Sequence, residues 1–422
     1  MQSRIWNFFR SRKNIYNAWL HVRKSASQSK NSRIRDAALD FEARLPANLD
    51  RITKSLRKGI YRYPKAIGVI KDKAVRERQG KPGRPIVVAA IEARVVQRAL
   101  LLSLQQKSAE LGKYSIGKIR AINESKVGIG GLPKPYGGVD RAVEAIRNDI
   151  RLGATHYWRS DIVSFFSKIP KSKVIEFLSH EVQCPTFVSF FQQSLEVELE
   201  NSANLTDDDL GLFPKEFTGV PQGSSLSSLA GNILLHSIDN EFEKQDCLYL
   251  RYVDDVLILS KSQNRSKKLS SKIRDRLGSL NLEIHRDSKK TSFGEISNGF
   301  EFVGYRFDST SHQPAPESFL KLQHKIQKIC QKSLTALQSN GFLDKQEEHF
   351  GRVIHRVNNT IESWSKSYSI SNLDNDDLLE TEDYLRDNIQ KYISAYFGKS
   401  HKLADQTSYF GRPSVPKYIR RA

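Results

Sequence analysis

The chain has 422 residues, of which 38% are hydrophobic, and its 67 Lys and Arg against 47 Asp and Glu give a formal net charge of +20. This composition excludes a disordered tail, allows two or three domains around well-formed cores, and indicates a partner with many phosphates. Cys184, Cys247 and Cys330 are too far apart for a CxxC zinc pair or a disulfide framework and fit a reducing cytoplasm, and no segment approaches the roughly twenty apolar residues of a membrane span.

Residues 1–35 carry nine basic residues and no Asp or Glu. Trp6, Phe9, Tyr16 and Trp19 recur at spacings of three and seven, so a helix would gather them on one stripe. Such aromatics more often pack between helices than stack on bases, and both interpretations stay open. The charge predicts nucleic-acid contacts by Arg4, Arg10, Arg12, Lys13, Arg23 and Lys24.

The structure of the next two segments is predicted from their glycine and proline residues and their short apolar runs. Between Tyr61 and Leu101, apolar runs flank the basic loop KDKAVRERQGKPGRP, which predicts a mobile hairpin followed by a helix beginning near Ala90. From Val127 to Gly138, the sequence VGIGGLPKPYGG holds five glycines and two prolines, too many for a regular element. We interpret it as a loop between modules.

Asp161 lies within the strand-like run HYWRSDIVSFFSKIP. A carboxylate buried in a strand is costly unless it is paired or ligates a metal. The hairpin described below offers no compensating arginine other than Arg251 and Arg159. Convergence of several carboxylates on a divalent cation would resolve this repulsion, and hard oxygen ligands suit Mg²⁺.

The segment from Phe217 to Phe242, FTGVPQGSSLSSLAGNILLHSIDNEF, places a glycine-rich PQG turn before an amphipathic helix. Such a turn lets the backbone approach a substrate closely, and Gln222 can bond a base or sugar edge. A plain helix-entry turn is the alternative, and it stays open at this point.

The segment LYLRYVDDVLILS, residues 248–260, places Asp254 and Asp255 between two apolar runs. This predicts two β-strands joined by a tight acidic turn. Asp is common in turns, so a solvated tip is the alternative. Val253 and Val256 argue against it, because an exposed turn more often supplies Gly or Asn. Two adjacent carboxylates between hydrophobic strands require a cation.

The C-terminal quarter is predicted to be a helical bundle. Further helical patterns occur near residues 345–369 and 376–397, and the tail GRPSVPKYIRRA is either a docking strand or a frayed end. The apolar face of the helix at 316–338 is predicted to consist of Leu320, Ile326, Ile329, Cys330, Leu334 and Leu337.

The order of these motifs resembles the blocks of reverse transcriptase palms: Asp161, the PQGSS turn, YVDD, KKT at Lys289–Thr291 and FVGY at Phe302–Tyr305. The resemblance covers roughly residues 62–306. A looser likeness continues to about residue 397, where IESWSKSY (Ile361–Tyr368) is similar to the thumb of intron-type enzymes.

This resemblance implies an α+β, right-handed polymerase with fingers, an antiparallel-sheet palm and a helical thumb. The expected domains are a basic helical extension at 1–60, fingers at 61–155, palm at 156–308, thumb at 309–400 and a basic tail at 401–422. It also implies two Mg²⁺ ions, replaceable by Mn²⁺. Their ligands would be Asp161, Asp254, Asp255 and the backbone carbonyl of Ile162.

The resemblance also implies substrate contacts. Phe166 would lie under the incoming sugar and exclude a 2′-hydroxyl, which favours dNTPs and disfavours an RNA-dependent RNA polymerase. Arg84 would grip the triphosphate together with a lysine whose identity stays open, since Lys71 is thirteen residues earlier and Arg78 and Lys81 are nearer. Gln222 and Lys290 would also contact the nucleotide, and Lys290 would neutralise the leaving pyrophosphate. Phe302, Gly304 and Tyr305 would form the primer grip.

Several lineages fit less well. There is no NAxxH segment or late VTG motif of the retron type, and Ser227 and Ser228 stand where diversity-generating enzymes have SQ. The chain most resembles compact bacterial defence-associated and abortive-infection reverse transcriptases. We therefore expect cDNA synthesis on a dedicated structured non-coding RNA in anti-phage defence, with the N-terminal 35 residues and the glycine-rich loop contacting that RNA. The alternatives are a mobile-element enzyme of the group II intron type and a non-catalytic RNA-binding scaffold.

Overall fold

Helices form the N-terminal region, as the aromatic spacing predicts. The computed structural model describes residues 4–29, 31–78, 82–106, 116–286, 290–337, 348–371 and 376–397. The side chains of Trp6, Phe9 and Trp19 are buried, so packing is confirmed for these three and base stacking is wrong. The helices are α1 (Arg4–Phe9), α2 (Arg12–Ser27), α3 (Ser32–Ala43) and α4 (Leu45–Lys58).

The predicted hairpin and helix after residue 61 are confirmed. Strands β1 (Ile67–Lys71) and β2 (Arg84–Val88) pair antiparallel, and a short helix, α5 (Lys73–Glu77), lies in their connection. Helix α6 (Ile91–Leu104) begins one residue after Ala90. A small core of Ala66, Val87 and Phe213 covers one face of the hairpin.

A four-stranded sheet of order β4-β5-β3-β6 carries the predicted acidic segments. Its strands are β3 (His156–Asp161), β4 (Leu248–Tyr252), β5 (Asp255–Ser260) and β6 (Ser292–Glu295). The helices of this part of the chain are α7 (Lys118–Asn123), α8 (Val139–Arg151), α9 (Phe165–Lys168), α10 (Lys171–Val182), α11 (Pro185–Leu195), α12 (Asp207–Leu210), α13 (Ser227–Glu243) and α14 (Gln263–Gly278), with a 3-10 turn at Ser202–Asn204.

The chain divides into two compact units, Met1–Asp149 with Trp158–Phe293, and Ile150–Tyr157 with Gly294–Ala422. One hydrophobic core runs through the first unit and joins side chains of the N-terminal helices to those of α6 and α13. Phe9, for example, lies 5.7 Å from Phe187 of α11 between ring centroids. The N-terminal helices are therefore part of the core of the first unit.

The described part of the second unit after residue 294 contains a three-stranded antiparallel sheet and three helices. The sheet consists of β7 (Phe300–Phe302), β8 (Tyr305–Phe307) and β9 (His312–Pro314), and a 3-10 turn precedes it at Ile296–Asn298. The predicted helical bundle is confirmed as α15 (Pro316–Leu337), α16 (Phe350–Ser367) and α17 (Asp376–Phe397).

The predicted apolar face of α15 is wrong at Leu320, whose side chain is 52% exposed. The predicted Ile326 and Cys330 are buried, as are Phe319 and Leu322, and the three- and four-residue spacing of these four defines the face that packs inward. Among the helices of the described residues, none combines the length and apolar character that a membrane span requires. The predicted tail at 401–422 lies outside the described residues.

Candidate active site

Asp254 lies in the two-residue turn of the β4–β5 hairpin. The strands pair from Leu248↔Leu259 to Tyr252↔Asp255, so Asp255 begins β5 and the predicted hairpin is confirmed. Val253 has φ +64°, a left-handed conformation that is unfavourable for a β-branched residue. A loop of two residues with a positive φ bends the chain sharply, and it places two acids next to each other at the tip.

Asp161, at the end of β3, meets this tip through the backbone. The N–H of Ile162 donates to the carbonyl of Asp254 at 3.0 Å, and the N–H of His285 donates to the carbonyl of Asp161, also at 3.0 Å. Asp161 is 8% exposed. The strand acid and the turn acids, which are 93 and 94 residues apart in sequence, are thereby brought to one edge of the sheet.

The carboxylates disfavour one another's ionisation. Burial, followed by the charges of Asp161 and Asp255, raises the pKa of Asp254 to about 7. Burial, followed by the charge of Asp161, raises the pKa of Asp255 to about 6. The ammonium of Lys290 contacts a carboxylate oxygen of Asp161 and opposes both shifts. The site therefore carries an excess of negative charge that favours binding of a cation.

The donor set fits a hard divalent cation, because neighbouring carboxylates, two of them (Asp254 and Asp255) with raised pKa values, gain most from a concentrated positive charge. Among the described residues, no three His, Cys, Asp or Glu side chains are already gathered as ligands around one point. The ammonium of Lys290 contacts one carboxylate oxygen of Asp161, Oδ2, and a carboxylate has a second oxygen with which it can bind an ion. Asp161, Asp254 and Asp255 are the residues that would hold the metal.

Arg251, one of the two arginines that could have compensated the acidic tip, pairs with another acid instead. Its side chain is 1% exposed and points to the opposite side of β4, where it pairs with Asp239 of α13 at 2.5 Å. It also donates to Asn232 at 3.0 Å and to the carbonyl of Val253 at 2.9 Å. Arg251 thus holds Val253, the strained residue of the turn, through its backbone carbonyl.

The first half of the glycine-rich loop, Val127–Gly130, is buried against the same hairpin, whereas Gly131 and residues 134–136 are exposed. RNA contact by this loop stays a prediction. The N–H of Arg251 donates to Val127 at 2.8 Å, and Ile129 donates back to Arg251 at 2.9 Å. A Cβ on Gly130 would lie 2.2 Å from the backbone nitrogen of Val253. The glycines allow this close approach, and the segment supports the turn.

The PQG turn joins two predicted nucleotide contacts through its backbone. Val220 donates to the carbonyl of Phe166, and Val87 of β2 donates to the carbonyl of Gln222, both at 2.8 Å. Gly223 has φ +114°, and a Cβ there would lie 2.7 Å from the carbonyl oxygen of Val87. The turn is therefore more than a helix entry, because it connects the segment of Phe166 to the β1–β2 hairpin.

The hairpin places one of the candidate cations, Lys71, beside Arg84. Lys71 is directly opposite Arg84 in the β1–β2 register, so the two side chains share one face. Both residues are exposed. The connection between the two strands contains α5, and an ion pair of 2.7 Å between Lys73 and Asp209 holds this helix in place. Lys81 lies outside the described residues.

Comparison with known proteins gives the family. Residues 75–307 match the model of the family described as reverse transcriptase (RNA-dependent DNA polymerase). The chain belongs to the reverse transcriptase family. This membership, together with the antiparallel sheets and surrounding helices, confirms the predicted α+β polymerase fold.

Two curated proteins are similar to this reverse transcriptase. The "Uncharacterized 91 kDa protein in cob intron" of Schizosaccharomyces pombe is 24% identical over 273 residues, which cover 62% of this chain and 29% of that protein. "Protein YkfC" of Escherichia coli is 23% identical over 306 residues, which cover 63% of this chain and 72% of that protein. The chain thus spans less than a third of the fission yeast protein.

Solved structures similar to this reverse transcriptase include a partial Cas6-RT-Cas1--Cas2 complex, with a TM-score of 0.34 and 21% identity over 65% of this chain and 41% of that chain. Telomerase from Candida albicans has a TM-score of 0.43 and 14% identity over 83% of this chain and 65% of that chain.

The predicted RNA-contacting residues at the N-terminus of the reverse transcriptase differ in their surroundings. Arg12 pairs with Asp50, Arg23 pairs with Glu42 at 2.9 Å, and Arg10 lies 5.6 Å from the Trp6 ring. Arg4, Lys13 and Lys24 are exposed. Nucleic-acid binding by these six residues stays a prediction.

The predicted primer grip lies in the second unit. Phe302 and Tyr305 are buried and paired across the β7–β8 hairpin, and Gly304 in the turn has φ +86°. The hydroxyl of Tyr305 donates to the carbonyl of Ser367 at 2.7 Å. Their contact with a primer stays a prediction.

Asn232 and Asp239 are the site-supporting residues that sequence reasoning missed. They are seven residues apart on α13, which places them on one face of a largely buried helix. Two polar residues at that spacing on a buried helix face could have indicated that a polar side chain from another element packs against them. Arg251 is that partner.

Proposed function

We propose that this chain is an RNA-directed DNA polymerase that copies a dedicated structured non-coding RNA into cDNA in anti-phage defence. The observation that carries the polymerase assignment is the meeting of Asp161, Asp254 and Asp255 at one sheet edge, with the pKa values of Asp254 and Asp255 raised by burial and by the neighbouring carboxylates. A protein that only binds RNA gains nothing from three repelling, poorly solvated acids.

Catalysis by this site would combine positioning with electrostatics. Two Mg²⁺ ions, or Mn²⁺ in their place, would activate the primer hydroxyl and stabilise charge on the triphosphate and the leaving pyrophosphate. Lys290 is close enough to Asp161 to move between that carboxylate and a phosphate oxygen. The paired cations of Lys71 and Arg84 would hold the triphosphate, for which a guanidinium fork is suited.

Selection of the sugar is assigned to Phe166. Its backbone is tied to the PQG turn at Val220, and its ring centroid lies 5.5 Å from that of Phe165, which is buried. A ring fixed in this way would leave no room for a 2′-hydroxyl. The expected substrates are therefore dNTPs.

The dedicated RNA and the defence role are supported by the resemblance to compact defence-associated enzymes, and the net charge of +20 supports a nucleic-acid partner. A cytoplasmic location is part of the same proposal, since all three cysteines are free thiols.

A second candidate is a mobile-element enzyme of the group II intron type. It is favoured by the fission yeast relative, whose name places it in the cob intron. The two candidates differ in the RNA that the protein carries. A structured RNA of constant length supports defence, whereas a self-splicing intron supports mobility.

Sequencing the RNA and DNA that co-purify with the protein tests the proposal. Wild type is expected to carry one structured RNA and DNA complementary to it. The variant Asp254→Ala/Asp255→Ala is expected to carry the RNA without the DNA. The same cDNA in both preparations would refute the enzymatic assignment, and a random mixture of cellular RNA would refute the dedicated template.

A further inference from the structure

Arg94 and Arg98 are one turn apart on α6 and face α2. A guanidinium nitrogen of Arg94 donates to the hydroxyl of Ser25 at 3.3 Å. A guanidinium nitrogen of Arg98 lies 3.1 Å from Nδ1 of His21, and the Nε of Arg98 is buried without a hydrogen-bond partner. Two cations are thus held side by side by neutral groups, with donor capacity left over.

Neither arginine has an acidic partner among the described residues. Both side chains are half-buried, and burial lowers the pKa of each guanidinium. Burying an unpaired charge is costly, and like charges one helical turn apart repel each other. Three acids of α3, α4 and α6 pair with other arginines, in Arg12–Asp50, Arg23–Glu42 and Arg51–Glu92.

His21 and Lys24 add donors on the solvent side. Because arginine can only donate, the contact with Arg98 makes Nδ1 of His21 an acceptor, so the proton of the neutral ring is on Nε2. Burial and the charges of Arg98 and Lys24 lower the pKa of His21, which favours this neutral form. His21, Lys24 and Ser25 are exposed, so the cluster is open on one side.

We propose that Arg94, Arg98, Lys24 and His21 form a binding site for a phosphate group of an RNA strand. Guanidinium forks bind the oxygens of a phosphodiester in a bidentate manner, and such contacts fix the position of a strand without reading its sequence. The open side suits a strand that passes over the helices, whereas a small free anion is usually enclosed by its pocket. The inference rests on the proposed function only in taking RNA as the source of the phosphate.

The test is the affinity of the full chain for a fluorescent single-stranded RNA, measured in EDTA and without dNTPs. Arg94→Gln/Arg98→Gln is expected to bind about tenfold more weakly than wild type. The slope of log Kd against log salt is expected to fall by roughly 0.7 to 1.4, the value for one or two phosphate contacts on a single strand. Lys267→Gln/Lys268→Gln, which removes the same charge from exposed positions on α14, is the matched control.

Equal affinity and equal slope in the arginine and control variants would overturn the inference. Inorganic phosphate distinguishes an RNA phosphate from a free anion as the ligand. If phosphate stabilises wild type but not the arginine variant against unfolding, and both proteins bind RNA with equal affinity, the site binds free anions and the inference is wrong. If the double variant does not fold, the test is instead the slope of log Kd against log salt for Lys24→Gln, which changes an exposed side chain. Absence of dNTP incorporation by wild type would refute the polymerase proposal and leave this result standing.

Discussion

Asp254 concentrates the electrostatic cost of the site. Its pKa of about 7 exceeds the ordinary value of 3.8, so the folded protein binds the proton more tightly than the unfolded chain does. The cost is absent below about pH 4, grows as the pH rises towards 7, and is constant above that. A metal ion bound by the acids would reverse this cost at neutral pH.

Asp254→Asn is therefore expected to raise the melting temperature in EDTA at pH 8, by about 2 to 4 °C for each kcal/mol of repulsion removed, and to change it little at pH 4. Thermal unfolding at both pH values measures this. Asp275→Asn, at an exposed position on α14, is the control. A gain at pH 4 as large as that at pH 8 would contradict the charge explanation.

Phe166 gives a second prediction at the scale of one residue. Truncation to Ala opens the space proposed to exclude a 2′-hydroxyl. The ratio of kcat/KM for dNTP to that for rNTP is expected to fall by roughly 10- to 200-fold, the range for steric discrimination of a small group. Single-nucleotide incorporation with dGTP and GTP on one template measures the ratio. An unchanged ratio would show that another group excludes the ribose.

The β4–β5 hairpin depends on how closely the glycine-rich loop approaches it. Gly130→Ala would place a Cβ 2.2 Å from the nitrogen of Val253, so either the turn or the loop must shift. We expect a loss of 1 to 3 kcal/mol in stability, about the cost of overpacking, and a larger loss of polymerase activity. Gly278→Ala, which meets no atom within 4 Å, is the control and is expected to be neutral or stabilising. Equal effects would refute the supporting role of the loop.

The buried pair behind the hairpin gives a further prediction. Arg251→Met leaves Asp239 buried without its cation, and the expected cost in unfolding free energy is about 3 to 5 kcal/mol. Adding Asp239→Leu removes the orphaned charge and is expected to recover part of the loss. Denaturant unfolding of both variants measures the effect. Arg274→Met, at an exposed site on α14, is the control, and a cost no greater than that of the control would contradict the account.

Across the whole molecule, the sequence predicted local elements well and long-range pairings poorly. The hairpin at residues 248–260 and the helices of the second unit follow from short-range periodicity, and the order of motifs singled out Asp161, Asp254 and Asp255 as the candidate site. The pairing of Gly128 with Arg251 could not be found in this way, because no local pattern encodes a contact across more than a hundred residues. The position of Lys71 opposite Arg84 likewise could not be predicted, because it depends on the register of two strands that a helix separates in the sequence.

The N-terminal helices illustrate the same limit. Their charge suggested a separate RNA-binding extension, yet Phe9 and Trp19 are fully or almost fully buried in the core that also contains α6 and α13. Deletion of residues 1–35 would remove this packing and unfold the first unit, so it cannot isolate RNA binding. Point substitutions at exposed or unpaired cations are the sharper test.

Primer extension on a defined RNA template tests the central claim most directly. Purified wild type is given an annealed DNA primer, dNTPs and Mg²⁺, with Asp254→Asn/Asp255→Asn as the matched variant and EDTA as the metal control. We expect extension by wild type in Mg²⁺, none in EDTA, and a loss of at least about a thousandfold in the variant. Extension at a similar rate by the variant, or by wild type in EDTA, would contradict the account.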